Sequence, residues 1–333
     1  MNGNKTLLIN EKEVARLFEN NLSLSVDIVE RAFARRAAGD VHLPDKISQI
    51  FDEKTQNRIN CMPSTLISEK VCGVKWVAVF PENPLQNLRN VTGTMILSEI
   101  EHGFTVSVMD GTYITGIRTA TVGAVAAKYL AKADAKSVGF IGAGQEARRH
   151  FEMLKLVRPS IDTCRVSSRR ESTASAFIDA LANKYPDVKF INCKDDYESA
   201  VLDADIIVTA VSTQKDLLKA AWVKPGAFYI HVGGWEDEFA VAEKADKIVC
   251  DEWEAVKHRS QTLSRMYVNG LLKDSDIYSN LGEIISGKKP GRENDEEFIY
   301  FNSVGLAFID VEYANTVYEY CRENGLGTEF EFN

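Results

Sequence analysis

The stretch SVGFIGAGQEA, residues 137–147, decides the fold of this chain. The apolar run at 138–141 reads as a buried strand, and Gly142-Ala143-Gly144-Gln145-Glu146-Ala147 as a glycine turn. A helix should follow over 148–157. Strand, glycine turn and helix in that order are the context in which G-x-G-x-x-A signals a dinucleotide site. Gly142 permits the tight turn, and Gly144 lets the backbone approach a pyrophosphate. Ala147 allows close packing of helix on strand, while the helix N-terminus faces the phosphates. A glycine-rich loop that binds nothing would carry the same glycines, but the flanking strand and helix favour the cofactor. Gly142, Ala143, Gly144 and Gln145 are its expected contacts.

Working outward, the pattern on the C-terminal side alternates strand and helix. Strands are predicted at 163–167, 188–192, 206–210, 228–232 and 247–250, with helices at 172–185 and from 196 towards 204. That alternation is an α/β, doubly wound parallel (Rossmann) sheet. On the N-terminal side, residues 114–131 form a small-residue-rich helix that leads into the turn. Before it lies an α+β region: a strand at 7–10, a helix from 10 or 11 towards 19, and a helix over 24–38 for which Ser23 is a candidate cap. Strand-like pieces follow at 59–62, 73–80, 94–97 and 105–109. Such a run suggests a largely antiparallel or mixed sheet, separate from the parallel one. The C-terminal end reads as a strand at 298–301 and one long amphipathic helix over 303–324, which Asn324-Gly325 would stop.

Composition narrows the partners. Hydrophobic residues make up 45% and charged residues 26%, as in ordinary globular proteins. A net charge of −9 argues against nucleic acid or an anionic membrane. No apolar run approaches a membrane span, and the N-terminal residues lack a signal-peptide core, so a cytoplasmic protein is expected. The scattered cysteines and five histidines show no metal-ligand spacing, and no metal is expected.

The choice of cofactor turns on the end of the second strand of the nucleotide unit. NAD enzymes usually place an acid there to accept from the ribose hydroxyls. Here Ser167-Ser168-Arg169-Arg170 offers hydroxyls and guanidinium groups, which suit a 2′-phosphate. NADP(H) is therefore preferred, with NAD(H) as the alternative if the turn is only a solvated basic one. Further cofactor contacts should come from loops after later strands: Thr209, Ala210, Val211 and Ser212, then Val232 and Gly233.

Several segments together resemble the ornithine cyclodeaminase/μ-crystallin family. They are Met62-Pro63, GVKWVAVFPENP (73–84), TGIRTATVGAVAAKYLA (115–131), GFIGAGQEA (139–147), ADIIVTAVS (204–212), PGAFYIHVGG (225–234) and SVGLAFID (303–310). The resemblance implies a homodimer. Residues 1–115 and 305–333 would form a substrate-binding and dimerisation domain, and residues 116–304 the dinucleotide domain. It also implies hydride transfer at the α-carbon of an amino or imino acid, with ring-forming deamination of ornithine as a lyase variant. A μ-crystallin-like NADPH-dependent binding protein is the alternative outside catalysis.

The resemblance assigns residues as well. Lys75 and Arg118 would hold the substrate carboxylate, with Lys46 as a third contact, and Arg118 would also reach the cofactor. Asn90 or Thr92 approximates a position near the nicotinamide, and Ser303 and Val304 the pair that closes over nicotinamide and substrate. Met62 and Trp235 are further candidates for the substrate pocket. Ornithine cyclodeaminases carry an aspartate directly after two glycines, where this chain has Trp235, which argues against ornithine as substrate. Glu236, one position later, matches dehydrogenases of N-(2-amino-2-carboxyethyl)-glutamate and is the expected proton-exchange residue, with Asp237 as the alternative.

Overall fold

The computed structural model describes residues 5–331 apart from Asn20 and Ser212. The chain divides into two compact units, Met1–Arg118 with Leu306–Asn333, and Thr119–Gly305.

In the second unit eight strands pair in parallel. Their order is Lys189–Asn192, Thr163–Ser167, Ser137–Ile141, Ile206–Thr209, Phe228–His231, Ile299–Asn302, Lys247–Cys250 and Ser279–Asn280. The chain order reverses beside Ser137–Ile141, which pairs with Thr163–Ser167 on one edge and Ile206–Thr209 on the other. That is the switch point at which doubly wound sheets bind dinucleotides. The central strands are buried along their whole length, which is why they read as unbroken apolar runs. Packing at the switch strand is tight: a Cβ on Gly139 would stand 2.2 Å from the Ala200 carbonyl oxygen.

The first unit holds a mixed sheet. Its main path is Thr328–Glu331, Lys5–Ile9, Thr105–Asp110, Val91–Glu99, Val71–Val79, Asn57–Leu66 and Val41–His42, and Ile47–Asp52 also pairs with Asn57–Leu66. Only Lys5–Ile9 against Thr105–Asp110 is parallel. The strands alternate as half-buried strands must. Lys75, Val77, Met95 and Leu97 are buried, while Trp76 and Ile96 point the other way and are 43% and 37% exposed. The helix Ala307–Glu323 packs on the buried face, close enough that a Cβ on Gly73 would stand 3.0 Å from Val311 Cγ2.

Some local expectations change. Ser23 is the first residue of the helix Ser23–Ala37, and its hydroxyl donates to Asn21 rather than capping. The C-terminal helix starts at Ala307, not 303, because residues 303–305 are drawn off by a buried aspartate and Gly305 turns with φ of +75°. The helices Thr262–Val268 and Leu281–Ile285 and the two-stranded pairing of Gln214–Leu218 with Trp235–Asp237 had no counterpart in the sequence reading. All are too short to show a period. No described helix is long and apolar enough to cross a membrane.

Candidate active site

In the first unit, strand register places Lys75 directly between Met62 and Met95, both buried. Lys75 itself is 0% exposed. An ammonium in such surroundings needs a partner, because burying it bare is expensive. The partner is Asp310, from the helix Ala307–Glu323: Lys75 Nζ donates to Asp310 Oδ1 at 2.6 Å, and Arg118 Nε donates to the same oxygen at 3.0 Å. Two cations thus share one anion, leaving an excess positive charge while Lys75 is protonated. Burial, and then the Arg118 charge, push the Lys75 ammonium down to about 7, with Asp310 pulling the other way.

The set is unfinished in two respects. Asp310 Oδ2 is buried and receives no donor. Arg118 spends Nε on Asp310, and its Nη atoms meet no protein acceptor among the described residues. Asp310 was not singled out by the sequence, although it ends the quoted stretch SVGLAFID. Its signal was an acid in the middle of an apolar helical run. Of the other expected substrate residues in this unit, Met62 lies beside Lys75, while Lys46 is half-buried just ahead of the strand Ile47–Asp52. Asn90 precedes the strand Val91–Glu99; its main-chain oxygen accepts from Phe80 N at 2.8 Å and its Oδ1 is buried without a partner.

In the second unit the glycine turn has the form a dinucleotide needs. Gly142 has φ of +106°, and a Cβ there would stand 2.7 Å from the Ala210 oxygen. At Gly144 a Cβ would meet nothing within 4 Å, so the space over the turn is open. Gly144 also heads the helix Gln145–Val157 with no side-chain cap, leaving its first N–H groups free for phosphate. Ala143 and Ala147 are buried and Gln145 is exposed. These residues fit a pyrophosphate.

The end of the second strand differs in part from expectation. Ser167 is wholly buried and its hydroxyl donates to the Phe140 carbonyl at 3.1 Å, so it is turned into the sheet and away from any ribose. Ser168 is half-buried, and Arg169 and Arg170 are exposed. Ser212 lies outside the described residues.

Glu236 also takes a different part from proton exchange. It is 0% exposed and fully engaged: Thr209 Oγ1 donates to Oε2 at 2.7 Å, Val211 N to Oε1 at 2.6 Å and Gly233 N to Oε2 at 2.7 Å. Burial still holds its carboxyl above the ordinary range, against those donors. The acid therefore ties the loop after Ile206–Thr209 to the loop after Phe228–His231, fixing Ala210, Val211, Val232 and Gly233. Asp237 is equally buried, and its Oδ2, like that of Asp310, receives no donor. It accepts from Thr262 Oγ1 at 2.7 Å, lies 3.4 Å from His231 Nε2, and is pushed up to about 7 by burial. His231 is pushed down to about 4 by burial and stays neutral near pH 7. Trp235 is half-buried under the Arg265 guanidinium, 4.0 Å from the ring centre. Ser303 donates its hydroxyl to Asp251 at 3.0 Å, and Val304 N donates to the same oxygen at 2.8 Å.

With this geometry in view, the comparisons with known proteins are specific. The model of the ornithine cyclodeaminase/mu-crystallin family matches residues 5–325, and the chain belongs to that family. A Delta(1)-pyrroline-2-carboxylate reductase of Bacillus cereus is 36% identical over 283 residues, covering 83% of this chain and 86% of its own. The solved Delta(1)-pyrroline-2-carboxylate reductase of Thermococcus litoralis, in complex with NADH and L-proline, is 30% identical with a TM-score of 0.92, covering 97% of this chain and 99% of its own. A solved archaeal alanine dehydrogenase, a dimer with bound NAD, is 33% identical with a TM-score of 0.89 and covers 99% and 100%.

The buried triad makes a stability prediction. Asp310→Ala strands two cations and is expected to cost about 3–5 kcal/mol, whereas Lys75→Met combined with Asp310→Leu should cost clearly less. Urea unfolding of the three proteins checks this; equal losses for the single and double variants would remove Asp310 from its role as counter-ion.

Proposed function

We propose that the protein is an NADP(H)-linked oxidoreductase acting at the α-carbon of an amino or imino acid. The observation that carries this reading is the incomplete triad. Guanidinium Nη atoms that meet no acceptor among the described residues, and an excess positive charge, stand beside a buried carboxylate oxygen without a donor. An α-amino or α-imino acid supplies both missing halves: its carboxylate for Arg118 with the Lys75 charge, and its N–H for Asp310 Oδ2. The names of the relatives point the same way, since alanine, proline and pyrroline-2-carboxylate are all α-substituted carboxylates of this kind.

In this reading Arg118 and Lys75 orient the carboxylate, and Asp310 holds or exchanges the proton on nitrogen, the part first expected of Glu236. A bound dinucleotide would supply hydride chemistry at the α-carbon. No side chain serves as nucleophile, and the residues contribute position and charge. The turn at 142–145 and the loops braced by Glu236 would hold the cofactor. Trp235 in place of the cyclodeaminase aspartate speaks against a redox-neutral lyase.

The preference for NADP(H) rests on Arg169 and Arg170, both exposed, with no acid after the strand until Glu171. The NAD and NADH bound by the relatives favour the second reading, NAD(H). A homodimer is proposed through the outward sheet face that carries Trp76 and Ile96, next to the exposed Ile47 and Phe51. A large apolar patch of this kind marks an interaction surface, and the archaeal relative is a dimer.

Three measurements test these points. Titration with NADPH and NADH should show tighter NADPH binding, with the preference lost in Arg169→Asp; tighter NADH binding by the native protein would decide for NAD(H). Sedimentation velocity should give a dimer that Trp76→Asp with Ile96→Asp converts to monomer, and a native monomer would end the dimer proposal. The third concerns pH. Below about 7 Lys75 is protonated and the set attracts a carboxylate; as pH rises through 7 that proton is lost and the excess charge with it. KM for Δ1-pyrroline-2-carboxylate, or whichever imino acid is turned over, should then climb about tenfold per pH unit. Lys75→Met should abolish the inflection, and a native profile that is flat from pH 6 to 8.5 would take Lys75 out of carboxylate binding.

A further inference from the structure

Gln261 is a buried side chain that the site described above does not use. It is 6% exposed, stands at the head of the helix Thr262–Val268, and is anchored there by its own N–H on Ser264 Oγ at 3.3 Å. Its amide nitrogen donates to the Gly233 carbonyl at 2.6 Å and to the Ser303 carbonyl at 3.1 Å, and its Oε1 accepts from Asn302 Nδ2 at 2.8 Å. One amide thus joins the loop after Phe228–His231 to the loop after Ile299–Asn302.

The bonds continue on both sides. Gly233 N reaches Glu236, which also takes Val211 N and the Thr209 hydroxyl. On the other side Asp251 Oδ2 accepts from Ser303 Oγ, Val304 N and Gly305 N, at 3.0, 2.8 and 3.0 Å. A continuous belt of buried and part-buried hydrogen bonds therefore runs along the carboxyl edge of the sheet from the fourth strand of the nucleotide unit past the fifth. In a doubly wound fold the adenosine half of a dinucleotide lies on the 163–167 side of the switch point, and the nicotinamide half on the side that this belt covers.

We infer that Gln261 is a positioning residue for the nicotinamide half of the cofactor, holding loops 232–235 and 302–305 as one body while leaving the adenosine half untouched. The inference rests on the dinucleotide reading above. No other amino acid of this length has both a two-hydrogen donor for the two carbonyls and an acceptor for Asn302, which is why the link is specific to glutamine.

The test compares binding of NADH and NADPH with binding of ADP-ribose, which lacks nicotinamide, in the full-length protein. Gln261→Glu keeps the length and the acceptor but sets an anion against two carbonyls, and Gln261→Met removes polarity altogether. Each variant is expected to weaken reduced-cofactor binding by about tenfold or more. ADP-ribose affinity should stay as in the native protein. A merely structural role would not make that distinction. Loss of both ligands in parallel, including through failure to fold, would overturn the inference, as would unchanged cofactor binding in both variants. Failure of the native protein to bind either reduced cofactor would instead overturn the dinucleotide reading itself.

Discussion

One carboxylate oxygen, Asp310 Oδ1, accepts from two buried cations on two other elements. Without it neither Lys75 nor Arg118 could stand where it does, since desolvating an unpaired charge costs far more than packing around it returns. The same oxygen joins the strand Val71–Val79, the helix Thr112–Leu130 and the helix Ala307–Glu323. It leaves the charge balance deliberately uneven from a chemist's point of view, because two positive groups around one negative group favour a second anion. The stability of the first unit and the substrate recognition proposed for it therefore draw on a single carboxylate oxygen.

In the second unit the governing constraint is different. Loops at the carboxyl edge of a parallel sheet must present main-chain groups to a ligand, yet they cannot pair with one another as strands do. Here Glu236, Gln261 and Asp251 satisfy the inward-facing groups of those loops. Three side chains do the work that a further strand would do elsewhere.

What the sequence disclosed follows from what is local. The strands Ser137–Ile141, Ile206–Thr209 and Lys247–Cys250 were legible because a strand buried on both faces reads as a largely apolar run, and the glycine turn because its geometry admits few alternatives. Lys75 and Arg118 were reached through the resemblance to the family. Asp310, the partner that both require, lies 235 positions from Lys75, and nothing in a local window couples them. The same holds for Gln261, whose partners are mostly main-chain atoms of distant loops. Ser167 was misread because a strand end buried on both faces gives no clue to which way each side chain turns. Glu236 was expected to exchange a proton and instead braces two loops, because a carboxylate that braces a loop and one that serves a substrate look identical in sequence.

The position of the strand Ile299–Asn302 has a consequence for biosynthesis. It lies between Phe228–His231 and Lys247–Cys250, both of which come well before it in the chain. A ribosome must therefore carry synthesis past residue 302 before that sheet can close, and until then two strand edges stay unsatisfied. The chain that follows at once contributes Asp310, so the lysine and arginine of the other unit wait for the same late segment.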